Sequence, residues 1–266
     1  MTVTNDRFAW RLADSQVDRD AVEAFWKLNP DLVLNPVCVV IPAFEEEESI
    51  GHVLDSIPGE VAGLETSVVV ISDGCTDRTV EVAAQHGALV CSVAVNRGQG
   101  AALRLGYRLA REAGARYVVT VDADGQWHPS EMARLVQPLI QDSADFVQGS
   151  RRLGSAANDD KVRATGVLVF AALVSLLSGT SITDSSSGFR AMRAEVLDDI
   201  LLEQDQYQAA ELLIAVIARG YRVAERPVTM SARHSGKSKK GSNLIYGARY
   251  AKVILRTWWR ERRRTS

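Results

Sequence analysis

Short β-branched apolar runs recur along the first half of this 266-residue chain, each separated from the next by a stretch of helical periodicity. That alternation restricts the fold more than any other feature. Residues 37–41, 67–71, 88–95 and 117–122 read as strands, and 145–149 as a further one. Helices over 45–57, from Thr76 or Asp77 to His86, over 101–113 and over 129–141 fill the gaps. The runs are continuously apolar, the pattern of strands covered on both faces. The expected fold class is therefore α/β: a doubly wound, mostly parallel, Rossmann-like sheet flanked by helices. A hydrophobic content of 46% is ample for its core.

Successive strands end in acids: Glu46, Asp73, and then Asp122 with Asp124. In an open parallel sheet these share the carboxyl edge, where ligands bind. Asp122-Ala123-Asp124-Gly125-Gln126 sets two carboxylates and an amide oxygen within five residues, hard ligands suited to Mg²⁺ or Mn²⁺. The alternative is a plain Asp-Gly turn in which Asp124 caps the next helix. Asn96-Arg97-Gly98-Gln99-Gly100 is a glycine-bearing turn before a helix; its N–H groups can approach a phosphate, with Arg97 adding charge.

Three cysteines, with no CxxC spacing, suggest a reducing, intracellular setting, and Cys38 and Cys91 sit in apolar runs as core residues. The amino terminus lacks the apolar core of a signal peptide, which fits a cytoplasmic protein. Residues 1–35 read as an extension containing an amphipathic helix over 15–28.

The net charge of −2 conceals a division: residues 219–266 carry 14 Lys and Arg against two acids, leaving 17 basic and 31 acidic groups before them. The basic end suits an anion or an anionic surface, and no nucleic-acid motif accompanies it. Residues 166–177 are almost wholly apolar yet shorter than the ~20 needed to cross a bilayer. Over 243–260, Leu244, Ala248, Ala251, Ile254, Leu255 and Trp258 fall on one helical face, with Arg249, Lys252, Arg256 and Arg260 opposite. This fits an interfacial helix, peripheral on the inner membrane face, or one docked on the body. Residues 233–240 form a basic, Gly- and Ser-containing loop, and Arg151, Arg152 and Arg163 offer a second anion contact.

Several ordered motifs over residues 37–240 resemble the inverting nucleotide-sugar glycosyltransferases of the GT-A fold (family 2), and among them the polyprenyl-phosphate glycosyltransferases similar to dolichol-phosphate mannose synthase. The resemblance implies that Pro42, Ala43, Phe44 and Glu46 contact the nucleoside of a UDP- or GDP-sugar and Asp73 its base. Arg97, Gly98, Asp122 and Ala123 would lie along the donor, with Asp122, Asp124 and Gln126 around Mg²⁺ or Mn²⁺. Gly149-Ser150-Arg151, Ser187-Gly188-Phe189-Arg190, Glu211-Leu212-Leu213 and the segment from Arg233 to Ser238 match later blocks around sugar and acceptor. Together with the acid pair they imply Asp124, Arg233, Lys237 and Glu211 as catalytic and Arg151, Arg190 and Ser238 as acceptor-binding, and Arg163 of the second anion contact is expected at the acceptor beside them. Residues 36–150 would form the donor half and 151–266 the acceptor half. Phe44, Glu45, Ser72, Gln99 and Trp127 depart from the family's usual Tyr, Asn, Asp, Lys and His.

The expected reaction is a single displacement at the anomeric carbon, assisted by the metal, Arg233 and Lys237. A polyprenyl phosphate acceptor is already anionic near pH 7 and needs no general base. A hydroxyl on a small soluble acceptor would need one, with Glu211 or Asp184 as candidates. Against a nucleotide-sugar pyrophosphorylase stands the lack of a Gly-rich loop after Ile41; against a non-catalytic sugar-nucleotide binder stands the Asp122/Asp124 pair.

Overall fold

Strand β1 (Val37–Ala43) lies between two parallel neighbours, β3 (Leu64–Asp73) and β5 (Tyr117–Thr120). This computed structural model describes residues 15–157, 161–232 and 243–265. Outside β3 runs β4 (Leu89–Val93), again parallel, and the two-residue strand β2 (Glu60–Val61) forms a hairpin with the start of β3. Beyond β5 the order continues through β7 (Arg190–Arg193), β6 (Phe146–Ala156) and β8 (Val223–Met230). The fold is α/β as expected, but β7 runs antiparallel to both β5 and β6, so the sheet is mixed rather than doubly wound throughout.

Alternation along the strands fills two cores. Cys38, Val40, Val69, Ile71 and Val118 face one side, beneath α1 (Gln16–Leu28), α4 (Gln99–Glu112), α8 (Gln208–Ala218) and α9 (Asn243–Thr265). Val37, Val39, Ile41, Val70 and Val119 face the other, against α2 (Ile50–Ser56), α3 (Thr79–Gln85) and α5 (Met132–Ile140). Helix α6 (Lys161–Ser178) packs beside α9, with Phe170 and Tyr250 ring centroids 4.7 Å apart, and α7 (Val196–Asp199) is a single turn.

Three further expectations are corrected. The helix anticipated over 45–57 begins only at Ile50, because Glu45 takes a left-handed conformation (φ 53°) and residues 45–47 bond to the neighbouring loop instead. The strand expected over 145–149 continues to Ala156, since β8 pairs along it past an irregularity after Ser150. Helix α9 buries Tyr250, Val253, Ile254, Thr257 and Glu261, while Ala248 and Leu255 are exposed, so its inner face is rotated from the one counted on apolar residues.

Candidate functional site

Strands β1, β3 and β5 are parallel neighbours, so their following loops emerge at one edge. The first two loops are joined. Glu45 accepts from the N–H (2.7 Å) and hydroxyl (3.0 Å) of Thr76, Glu47 accepts from the N–H of Arg78 (3.0 Å), and the Glu46 N–H donates to the Thr79 hydroxyl (2.8 Å). Half-buried Pro42 and Phe44 flank buried Ala43 there, and the Glu46 carboxylate accepts from the Ser49 hydroxyl at 2.8 Å. Asp73, buried at the end of β3, accepts the N–H groups of Arg97 (3.1 Å) and Gly98 (2.7 Å) and so fixes the turn entering α4. Burial raises its carboxyl above the ordinary range, outweighing those two donors. Gly98 has a φ of 102°, and a Cβ there would come within 2.7 Å of the Asp205 carbonyl oxygen, so no side chain fits this turn unchanged.

The Arg97 guanidinium turns away from this edge. It pairs with Asp18 of α1 and donates to the Ser15 hydroxyl at 2.9 Å, so its charge is already matched. Gln99, standing where the resemblance led one to expect Lys, instead reaches the acid pair: its Nε2 donates to one oxygen of Asp122 at 2.6 Å. Trp127 Nε1 donates to the other oxygen at 2.8 Å. Gly188 lies against the same carboxylate, where a Cβ would meet Oδ2 at 2.5 Å, and its carbonyl accepts from the Thr120 hydroxyl. Gln99, Trp127 and Gly188 thus converge on Asp122 from three directions in sequence: the turn entering α4, its own loop and the segment before β7.

Asp124, 8% exposed, accepts the Gln126 N–H at 3.1 Å. Gln126 Nε2 donates to the Ser231 carbonyl, which leaves its amide oxygen as the ligand-capable atom. Among the described residues no group of three His, Cys, Asp or Glu side chains gathers; the expected ligands are two carboxylates, of Asp122 and Asp124, and the amide oxygen of Gln126. Such a hard, incomplete oxygen set fits Mg²⁺ or Mn²⁺ with positions left for a substrate diphosphate.

The residues expected at the acceptor take other partners in the structure. Arg151 makes a two-pronged contact with buried Asp184 (2.7 and 2.8 Å) and another with the Ser186 hydroxyl (2.7 Å), while its guanidinium lies 5.9 Å from the Trp127 ring centroid. Burial opposes the Arg151 cation, but Asp184 more than compensates and its pKa lies above the ordinary value. Arg190 is only 1% exposed; it donates to Thr120 and Gln208 and braces the end of β5 rather than facing an acceptor. Glu211 is 0% exposed and accepts from the N–H groups of Glu203 and Gln204 and from Arg260. Neither Glu211 nor Asp184 is therefore presented as a proton acceptor, because each carboxylate is buried in bonds that hold the fold. Arg233, Lys237 and Ser238 lie outside the described residues, as does the side chain of Arg163.

Gln99, Trp127, Gly188 and Ser231 carry the geometry around the acid pair without having been assigned to it from sequence. Gln99 and Trp127 were marked only by their departure from the resembled pattern, and Gly188 by its place in the Ser187-Gly188-Phe189-Arg190 block.

Residues 38–201 match Glycosyl transferase family 2. A dolichyl-phosphate hexose transferase of Haloferax volcanii is 34% identical over 239 residues, covering 88% of this chain and 99% of that protein. An undecaprenyl-phosphate mannosyltransferase of Micrococcus luteus is 30% identical over 224 residues, covering 79% and 89%. The glucosyl-3-phosphoglycerate synthase of Mycobacterium tuberculosis, crystallised with Mn²⁺, UDP and glucosyl-3-phosphoglycerate, superposes with a TM-score of 0.67 at 24% identity over 92% of this chain and 84% of that one, a likeness of fold. With the family match spanning more than half the sequence, this chain belongs to glycosyl transferase family 2 and is a glycosyltransferase of the GT-A fold.

Proposed function

We propose that the chain transfers a sugar from a UDP- or GDP-sugar to a polyprenyl phosphate at the inner face of a membrane. The observation that carries this reading is the acid pair at the end of β5. Asp122 is held on both oxygens by neutral donors, and Asp124 lies beside it with Gln126. Asp122, Asp124 and Gln126 would hold Mg²⁺ or Mn²⁺, which when bound offsets charge growing on the leaving diphosphate. Pro42, Ala43, Phe44, Glu46 and Asp73 supply the nucleoside side of the cleft, and Gly98 the close backbone approach beside it. In the displacement an acceptor phosphate oxygen forms the new bond to the anomeric carbon while the bond to the nucleoside diphosphate breaks. No proton has to leave the nucleophile. This agrees with a site in which the two candidate bases, Glu211 and Asp184, are both consumed by buried contacts.

The names of the two relatives favour a lipid phosphate over a soluble hydroxyl acceptor. No helix among the described residues is long and apolar enough to cross a membrane. Leu168, Val169 and Leu176 of α6 and Leu255 and Trp259 of α9 are nonetheless exposed, and α9 also exposes the cations Arg249, Lys252 and Arg256. Apolar side chains beside cations fit a peripheral contact with an anionic lipid surface. The test is incubation with labelled UDP- and GDP-sugars, with and without polyprenyl phosphate and Mn²⁺. Lipid-extractable label that disappears in Asp124→Ala supports the proposal. Water-soluble product alone, or full turnover in a folded Asp124→Ala, refutes the acceptor or the metal assignment respectively.

A further inference from the structure

The extension before β1 reaches the donor edge through a chain of named contacts. Helix α1 opens on a reciprocal cap in which Ser15 and Asp18 bond to each other, the Asp18 N–H to Ser15 Oγ and the Ser15 N–H to Asp18 Oδ2. Asp18 is 2% exposed, and both its oxygens also receive the Arg97 guanidinium. Arg97 belongs to the turn whose backbone is held by Asp73, and the next residue but one, Gln99, donates to Asp122. The helix is itself anchored: Ala21, Val22 and Phe25 are in the core, and Trp26 Nε1 donates to Glu112 of α4 at 3.1 Å. A cap residue whose carboxylate is buried and shared with a distant loop does more than start a helix, for capping alone is satisfied at a solvent-exposed position.

We infer that α1 is a clasp on the donor loop, with Asp18 a positioning residue that, through Arg97, fixes where Gly98 and Gln99 stand beside Asp122. The inference rests on the donor site proposed above and extends it to a part of the chain outside the residues 38–201 matched to the family. A two-pronged guanidinium–carboxylate contact fixes direction as well as distance, which a loop supported only through its backbone lacks. Without it, the loop must be ordered when the donor binds, and the cost falls on donor affinity rather than on the chemical step.

The experiment compares the full wild-type chain with Asp18→Asn and with Arg97→Lys, which keeps the charge but loses the two-pronged geometry. Amide hydrogen exchange over residues 96–101, calorimetric titration with UDP and Mn²⁺, and steady-state transfer are measured on each. In Asp18→Asn the Arg97 and Gly98 amides should exchange on the order of 10-fold faster and KM for the donor should rise about 10-fold, with kcat within about 2-fold. Arg97→Lys should show the same split at about one third of that size. The double variant should be no worse than the worse single one, since both act through one contact. The inference is overturned if the folded variants keep wild-type exchange at 97 and 98, or if kcat falls with KM unmoved. Exchange needs no substrate, so it decides the inference even for a wild type that transfers no sugar, a result that would instead refute the functional reading.

Discussion

Gly188→Ala is the substitution whose consequence the structure specifies most closely. Gly188 has an ordinary backbone conformation, so alanine brings no backbone strain there, and the whole effect comes from one methyl group. That methyl would lie 2.5 Å from Oδ2 of Asp122 and 2.9 Å from Oδ1, whereas ordinary contact begins at 3.4 Å. The carboxylate, or the 187–189 segment, must therefore move by about 0.9 Å. Moving Asp122 disrupts the bonds from Gln99 (2.6 Å) and Trp127 (2.8 Å); moving the segment disrupts the Thr120 bond to the Gly188 carbonyl (2.7 Å). If the carboxylate yields it shifts by about 1 Å relative to Asp124, and if the segment yields Gly188 withdraws from Asp122 by as much; displacements of that size beside a reacting centre cost roughly 100-fold. Global stability should change by only about 1–3 kcal/mol, the range for an overpacked site. The assay pairs a denaturation curve with transfer kinetics and calorimetric titration of Mn²⁺ with UDP. If Gly188→Ala folds and binds Mn²⁺–UDP and transfers sugar within about 3-fold of wild type, the placing of Asp122 at the reacting centre is wrong.

Other outcomes follow from buried groups that hold the fold around the site. Asp184→Asn leaves the nearly buried Arg151 cation without its partner and should cost about 3–5 kcal/mol in urea denaturation, as for a broken buried pair. Burial pushes the thiols of Cys38 and Cys91 up to about 12, so at pH 8 a thiol reagent should label Cys75 alone in the native protein and all three cysteines after denaturation, read by mass spectrometry. Burial raises the Asp18 carboxyl, but the bonds from Arg97 and Ser15 outweigh it, and its folded value lies below the usual 3.8. A lowered acid contributes stability that is fully present above the unfolded value and is lost as pH falls through the folded one. The difference in Tm between wild type and Asp18→Asn should therefore be constant above about pH 5 and shrink as pH is lowered beneath 3.8, and a gap independent of pH down to 2 would contradict the assignment.

The strands β1, β3 and β5 were legible because each is a continuous apolar run, and the acid-bearing ends came with them. Strand β7 was not: Arg190-Ala191-Met192-Arg193 has no apolar run and becomes a strand because β5 and β6 flank it on both sides. Tertiary pairing overrode local preference there. The pair Asp122 and Asp124 could be read from spacing, but what holds Asp122 could not. Its partners Gln99 and Trp127 approach from two different loops, and Gly188 lies 66 residues further along the chain. Arg97 illustrates the opposite failure. Its neighbour Gly98 invited a phosphate contact, while the group that holds its guanidinium lies 79 residues earlier. Adjacency in sequence carries no information about which way a long side chain turns.

The basic end of the chain poses the same problem at larger scale, and its solution separates charges that build the fold from charges left for a partner. Arg260 reaches Glu203, Glu211 and Glu261, and Arg219 also meets Glu261, so two buried carboxylates are neutralised inside the packing of α8 and α9. Arg222 pairs with Asp142 and Asp145 across the start of β6. A helical wheel that sorts residues by polarity places Arg260 with the solvent face, yet this arginine lies inside because acids on α8 and α9 would otherwise be buried without a countercharge. Arg249, Lys252 and Arg256 differ. Among the described residues they enter no ion pair, and they line a cleft of about 570 Å³ whose other wall, residues 203–207, has its acids already engaged: Glu203 by Arg260 and Asp205 by Arg104. An unmatched positive wall facing a matched one attracts anions from solution. Because the carbonyl of Asp205 in that second wall accepts the Gly100 N–H at 2.8 Å, the cleft adjoins the loop that presents Gln99 to Asp122. The cations that remain after the fold is neutralised thus stand next to the loop bearing Gln99, where the acceptor phosphate of the proposed reaction would find a matching charge.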